Sequence, residues 1–114
     1  MIKISLADDK IKNKYSIEND AYVVLDNDDM ICGCEFKMNP PSVTLCRIYG
    51  DDLTLLDGVI RQTLSYSLDH ECPNAEFDGE IRKLLFKLNI IKKNNQQTLD
   101  ILEFFTKLNC VEKF

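Results

Sequence analysis

The start of the chain alternates apolar and polar residues, with Ile2, Ile4 and Leu6 each separated by one polar residue. Successive side chains of a strand point to opposite faces, so this pattern predicts an N-terminal β-strand that is half buried on one face. Residues 8–20 show little periodicity. For them we expect a short helix at most, or an irregular connection.

Residues 21–38 contain two β-rich runs separated by the turn-forming stretch 26–29. Asp and Asn tolerate turn conformations and bond their own backbone, so we expect a β-hairpin here. Gly33 lies inside the second arm, where it indicates a bulge or the close approach of another backbone. Cys32 and Cys34 are two residues apart and are therefore predicted to share one face.

A third antiparallel strand is predicted for residues 43–49, because "NPPS" at 39–42 breaks the preceding strand. Strict alternation puts four residues of this strand on one face: Val43, Leu45, Arg47 and Tyr49. Three others then occupy the opposite face: Thr44, Cys46 and Ile48.

The longest helical pattern follows Gly50, where apolar residues recur every three or four positions. These residues are Leu53, Leu56, Ile60, Leu64 and Leu68. Asp51 or Asp52 is available as the N-cap, and Pro73 is expected to end the helix near Glu71.

The rest of the chain predicts a short strand at 75–78, a helix near 81–88, a last strand in "QTLDI" and a short terminal helix in "LEFFTKL". We therefore expect one domain over residues 1–114 of the mixed α/β (α+β) class. Its architecture is predicted to be a mixed, mostly antiparallel sheet with a long central helix packed on it.

The 114 residues include 19 acidic and 14 basic ones, for a net charge of -5. The basic residues are scattered, so nucleic acid is not an expected partner. Apolar runs are too short to span a membrane, and the first residues lack a basic start followed by an apolar core. We therefore expect a cytoplasmic protein with no membrane partner.

Five cysteines form an odd set without a C-x-x-C pair: Cys32, Cys34, Cys46, Cys72 and Cys110. This number and spacing argue against a secreted disulfide framework and favour reduced, buried thiols. A zinc site is the alternative, with four ligands of suitable type: Cys32, Cys34, His70 and Cys72. The spacing is unlike that of structural zinc sites, so no metal is predicted.

Three further residues have two interpretations each. His70 is placed near the C-terminal end of the long helix, where the helix dipole favours a cation, rather than beside a nucleophile. Cys46 is either a core thiol or a nucleophile activated by the neighbouring Arg47. Asp78 follows the short strand, where it serves as a general base or as the cap of the next helix.

The order of elements and three segments resemble the GNAT (Gcn5-related N-acetyltransferase) family. "NDDMICGCEF" resembles the family's hairpin, with its acidic turn followed by an aliphatic pair and glycine. "SVTLCRIY" is similar to the central strand that precedes the cofactor helix, and "LLFKLNI" to the closing helix. The likeness covers about residues 1–101.

The resemblance implies that acetyl-CoA binds as an added strand beside the central strand, with its pyrophosphate at the start of the long helix. The implied cofactor-binding residues are Leu45, Cys46, Arg47, Ile48, Tyr49, Gly50, Leu53, Leu55 and Leu56. The family's loop holds an arginine or glutamine and two close glycines, whereas this chain has "YGDDLTLLDG". Leu85 stands where the family often has a tyrosine acid.

Two function hypotheses follow. The first is an acetyl-CoA-dependent N-acetyltransferase with a degenerate cofactor loop, acting on a small amine with Asp78 as the base. The second is a catalytically inactive interaction module of the same fold that forms a homodimer. Its contact residues are expected among Phe104, Phe105 and Phe114.

Overall fold

Six strands form one sheet, and their order across the sheet follows their order along the chain. The computed structural model describes the backbone of residues 2–112 and the side chains of residues 2–107. The strands are β1 (Ile2–Leu6), β2 (Asp20–Asp26), β3 (Asp29–Asn39), β4 (Ser42–Tyr49), β5 (Asn74–Phe77) and β6 (Thr98–Asp100). The helices are α1 (Asp9–Tyr15), α2 (Leu53–Asp69), α3 (Gly79–Lys87) and α4 (Ile101–Glu112).

Every neighbouring pair of strands is antiparallel except β4 and β5, which are parallel. The parallel pair is joined by α2, as a crossover between parallel strands requires. The predicted class is confirmed: the protein is a mixed α/β fold with a mostly antiparallel sheet and a long helix packed on it.

Aspartates are the N-caps of the two helices that follow the parallel strands. Oδ1 of Asp52 accepts the N–H of Leu55 at 3.1 Å, and Oδ1 of Asp78 accepts the N–H of Ile81 at 3.0 Å. Each bond satisfies one of the N–H groups that a helix start leaves unpaired. α2 ends at Asp69, two residues before the predicted end, and His70 is its C-cap as expected.

The two faces of the sheet carry separate apolar clusters. Tyr22 and Val24 belong to the main cluster, which α2 covers. Ala21 and Val23, the alternate residues of β2, belong to a smaller cluster with Ile11 of α1. β2 is therefore apolar on both faces because it lies between two helices, as buried strands of α/β proteins do.

The "CGC" motif is part of β3 and faces the main core. Cys32 and Cys34 are fully buried with their side chains in the main cluster, which confirms that they share one face. Gly33 lies between them on the opposite face. A Cβ at Gly33 would be 3.1 Å from the carbonyl oxygen of Tyr22, so the expected close approach of another backbone is also confirmed.

β1 has the predicted alternation, but its apolar face is not buried. Ile2, Ile4 and Leu6 are 58%, 45% and 41% exposed. The reason is position, because β1 is the edge strand and α2 reaches it only near Gly58, where a Cβ would be 4.0 Å from Ile4 Cδ1. The expectation of a half-buried face was wrong for this strand.

No helix in the described part of the chain is long and apolar enough to cross a membrane.

Candidate functional site

The parallel ladder between β4 and β5 ends halfway along β4. Its four residue pairs run from Ser42 with Asn74 to Leu45 with Phe77. β4 continues to Tyr49, but no strand of residues 2–112 pairs with Cys46–Tyr49 on that side. The main chain of this segment therefore presents a free strand edge inside the sheet.

A β-bulge in β4 marks the point where the two strands part. Glu35 of β3 pairs with Arg47 and the next residue, Phe36, pairs with Leu45, so Cys46 is an extra residue in β4. A bulge bends its strand and reverses the order of faces beyond it. β5 itself ends at Phe77, one residue before the cap of α3, so the bulge follows directly on the last pair of the parallel ladder.

The bulge corrects the predicted alternation of β4. Val43 and Leu45 lie in the main core as expected, but Tyr49 packs against the smaller cluster on the opposite face. Ile48 packs against the main core instead. One inserted residue exchanges the faces because the side-chain period of a strand is two.

Both helices that follow the parallel strands start at the same edge of the sheet. β4 leads through residues 50–52 into α2, and β5 leads through Asp78 into α3. In open parallel α/β sheets, ligands bind beyond the carboxyl ends of the strands. The free edge of β4 thus lies at the end of the sheet where both helices begin.

Gly50 makes the turn from β4 into α2. Its φ is 85°, a conformation that side-chain-bearing residues rarely adopt. A Cβ there would lie 2.5 Å from the carbonyl oxygen of Ile31, so the backbone of β3 also requires a glycine. The path from the free edge to the start of α2 depends on this residue.

The cofactor-binding residues implied by the resemblance divide into two groups. The main chain of Cys46–Gly50 borders the free edge, and Leu53 at the start of α2 is 39% exposed. Leu45 and Leu56 are each only 2% exposed with their side chains in the main core, and Leu55 packs against it. These three side chains belong to the core rather than to the site.

Asp51 and Asp52 are exposed at the mouth of α2. The carboxylate of Asp52 already accepts an N–H of the first turn, as described above. Two carboxylates at this position oppose the approach of a second anion, since like charges a few ångströms apart repel by about 1 kcal/mol even in water.

Arg82 is a cation at this edge that the sequence patterns did not indicate. It lies in the first turn of α3, where its Nη2 would be 3.6 Å from a Cβ at Gly79. Its Nε is buried, and among the described residues it has no hydrogen-bond partner. The guanidinium therefore has unused donor capacity near the carboxyl end of β5.

A buried carboxylate, also missed from the sequence, lies one strand away from the free edge. Glu35 of β3 is only 5% exposed. Its Oε2 accepts a hydrogen bond from Asn19 Nδ2 at 2.8 Å, and its Oε1 accepts one from the Tyr49 hydroxyl at 2.7 Å. The available signal was a glutamate placed between Cys34 and Phe36, two residues that favour the core.

The Tyr49 hydroxyl is held in its neutral, donating form. Burial, the hydrogen bond to Glu35 and the negative charge of Glu35 raise the pKa of Tyr49 to about 12, in that order of importance. The Arg47 guanidinium lies 5.1 Å from the centre of the Tyr49 ring and opposes this shift. The tyrosine therefore remains a hydrogen-bond donor at neutral pH.

The thiols are poor nucleophiles. Burial raises the pKa of Cys32 to about 11 and that of Cys34 to about 12. Burial and the charge of Glu35 also raise the pKa of Cys46, against a smaller opposing effect of Lys37. Arg47 therefore does not activate Cys46, because thiolates form where the pKa is lowered.

Asp78 is exposed at the carboxyl end of β5, and its capping interpretation is confirmed. Its role as a base stays a prediction. Leu85 is fully buried and offers no acid in the position where the family often has one.

His70 stacks on Tyr66 with ring centres 4.0 Å apart. Among the described residues no three His, Cys, Asp or Glu side chains converge to hold a metal ion.

A cavity of about 610 Å³ lies elsewhere, between α2, the connection before β6 and α4. Three of the charged residues on its wall already have partners: Arg61 pairs with Asp57, and Lys107 pairs with Glu103. Lys92 and Lys93 belong to the irregular connection. Leu99 and Asp100 of this wall belong to β6, an edge strand of only three residues. The unpaired segment of β4 instead leads directly to the start of α2, so we place the candidate site at Cys46–Tyr49.

No protein family, curated protein or solved structure matches this chain. The site is therefore interpreted from its own geometry.

Proposed function

We propose that the protein is an N-acyltransferase of the GNAT type that takes its acyl group from acetyl-CoA. The observation that carries this proposal is the free edge of Cys46–Tyr49, which runs through Gly50 to the start of α2. A strand edge inside a sheet binds an extended ligand with spaced amide groups by main-chain hydrogen bonds. The pantetheine arm of CoA is such a ligand.

The residues of the candidate site suit the pantetheine arm of CoA better than its pyrophosphate. The free edge suits the pantetheine arm, whereas Asp51 and Asp52 oppose a pyrophosphate at the start of α2. Arg82, with its unpartnered Nε, and Arg47, in the free-edge segment, are the available sources of compensating positive charge. We therefore expect a donor held mainly by its pantetheine arm and only weakly by its phosphates.

When bound, acetyl-CoA supplies a thioester, which is an activated acyl group that an amine can take up. The chain contributes the binding edge, which is unpaired because β5 ends at Phe77, and the Gly50 turn. A base must also take a proton from the amine before or during transfer. Asp78 remains the candidate at the carboxyl end of β5, where it is exposed.

The test is titration of the ¹⁵N-labelled protein with acetyl-CoA, observed through backbone amide signals. We expect saturable shifts in residues 46–50 and 53–55, and a rise in melting temperature. A ligand at a hundred times its dissociation constant stabilises a protein by about 2.7 kcal/mol. Acetyl-pantetheine should shift residues 46–49 but not 53–55. No response at millimolar acetyl-CoA, or shifts confined to the cavity at residues 89–96, would refute the proposal.

A second candidate function, self-association, is favoured by the exposed apolar face of β1. An antiparallel pair of β1 strands from two copies, centred on Ile4, would place Ile2 of one copy opposite Leu6 of its partner copy. The same register puts Lys3 opposite Ser5, so no like charges meet. Such pairing would also satisfy the open edge of β1.

The phenylalanines expected at a homodimer contact are placed differently. Phe104 and Phe105 pack against the main core and against each other, with ring centres 5.1 Å apart. Arg61 also covers the Phe104 ring at 5.1 Å. Phe114 lies outside the described residues. We therefore propose β1, rather than α4, as the contact of this second candidate.

A further inference from the structure

Glu35 is a buried carboxylate without a cation. It accepts hydrogen bonds from two neutral groups, the Asn19 amide and the Tyr49 hydroxyl. None of the ion pairs among the described side chains includes it. Burying a charge is costly unless it is paired, and proteins normally supply a counter-charge for such a group.

The nearest cation of the same sheet does not fill this role. Arg47 is the cross-strand partner of Glu35, but its guanidinium lies over the Tyr49 ring and its side chain is exposed. Lys12 is engaged by Asp20 at 3.2 Å. The protein thus directs neither of these two cations to the buried carboxylate.

A small cavity reaches the Glu35 network from outside. Its volume is about 260 Å³, and Asn19 forms part of its wall. Asn19 thus links the cavity to the buried carboxylate, because it lines the wall and its Nδ2 donates to Oε2 of Glu35. Glu18 and Asp20 also line the cavity and attract cations to its opening. Lys12 and Lys37 balance them, so the unpaired charge is that of Glu35.

We propose that Glu35 binds the ammonium group of a small primary amine, which enters through the cavity beside Asn19 and displaces the Asn19 amide. An alkylammonium ion offers three N–H donors and one positive charge, and these match a carboxylate that now has only neutral donors. The size of the cavity limits the ligand to a short alkyl chain.

The inference rests on the proposed function only where it identifies this amine as the acyl acceptor. Glu35 lies directly across from Arg47, in the unpaired segment of β4, so the amine would be held one strand from the donor edge. Adjacent strands are about 4.8 Å apart. Binding of the amine itself requires no cofactor.

The experiment is a titration of the ¹⁵N-labelled protein with butan-1-amine at neutral pH without any CoA. Binding is followed in every variant through the backbone amide signals of residues 34–36 and, where Asn19 is present, also through its side-chain amide signals. We expect saturable shifts of these signals and a loss of affinity of about tenfold or more in Glu35→Gln, since hydrogen bonds to charged groups contribute the most. Glu76→Gln is the matched control, because Glu76 is an exposed carboxylate on β5. It should bind like the wild type.

Tetramethylammonium tests whether binding needs N–H donors as well as a positive charge, because it carries the charge but has no N–H group. It should not shift the Asn19 signals. Asn19→Ala keeps Glu35 intact and removes the competing amide, so it should bind butan-1-amine more tightly than the wild type. This variant keeps the test decisive if Glu35→Gln does not fold.

Equal affinities of wild type and Glu35→Gln, or weaker binding by Asn19→Ala, would overturn the amine site. Failure of the wild type to bind acetyl-CoA would instead refute the proposed function, and the amine site would be unaffected by that result. The two failures are distinguishable because each titration contains only one ligand.

Discussion

The Tyr49 hydroxyl reaches Glu35 diagonally across two strands and donates a 2.7 Å hydrogen bond to it. Tyr49 lies opposite Gly33, two residues before Glu35 on β3. Diagonal neighbours of this kind are within reach of an aromatic side chain. The bulge at Cys46 puts both residues on one face.

The first prediction concerns this bond. Tyr49→Phe should lower the free energy of unfolding by about 1–3 kcal/mol, because it leaves a buried carboxylate with one donor fewer. Tyr66→Phe is the control, since Tyr66 contributes ring contacts with Tyr22 and Phe36. Urea unfolding of the three proteins measures the effect. Equal losses of unfolding free energy in both variants would show that the hydrogen bond from Tyr49 does not add the expected stability.

The second prediction concerns pH. The pKa of Tyr49 in the folded protein is raised to about 12, above the ordinary value of 10. The contribution of this group to stability should therefore be complete below pH 10 and should be lost as the pH rises toward 12. Ultraviolet titration should show one late tyrosine, and Glu35→Gln should lower its pKa. Burial continues to raise this pKa in the variant, so it is an unchanged pKa of the late tyrosine that would contradict the assignment.

The third prediction concerns the mouth of α2. Asp51→Asn combined with Asp52→Asn should tighten acetyl-CoA binding by about 1 kcal/mol at low salt, because two opposing charges are removed while the capping ability of the residues is kept. Calorimetric titration at low and high salt measures this difference. Asp69→Asn with Glu71→Gln makes the same charge change at the far end of the helix and should have little effect. Equal affinities at low salt would mean that these carboxylates do not face the cofactor.

The fourth prediction concerns the thiols. Iodoacetamide at pH 8 should alkylate Cys46 before Cys32 or Cys34, because the last two are fully buried with pKa values of about 11 and 12. Peptide mass spectrometry over time gives the order of labelling. Labelling of Cys34 as fast as Cys46 would contradict the described packing of β3.

The fifth prediction concerns β1. If two copies associate through this strand, Ile4→Asp should shift the protein to the monomer, because it places a charge at the centre of the contact. Ser5→Asp, on the opposite face of the same strand, should disturb association less. Light scattering after size-exclusion chromatography measures the mass. A wild-type monomer at all concentrations would refute this second candidate function.

The sequence by itself determined the features that depend on neighbouring residues. Asp52 and Asp78 precede helical patterns, so their capping roles could be predicted. The hairpin between β2 and β3 follows from the turn chemistry of Asn27, which adopts a φ of 58°. The order of the elements follows from their periodicities, and the burial of Cys32 and Cys34 follows from the preference of thiols for the core.

Only the tertiary structure decided the features that depend on partners distant in sequence. The alternation of β4 could not reveal the bulge at Cys46, because a bulge exists only relative to the register with β3. The exposure of Ile4 depends on how far α2 extends across the sheet. The role of Glu35 depends on Asn19 and Tyr49, which are 16 and 14 residues away in sequence. Periodicity predicts which way a residue faces along its own element, whereas the pairing of elements decides what that residue meets.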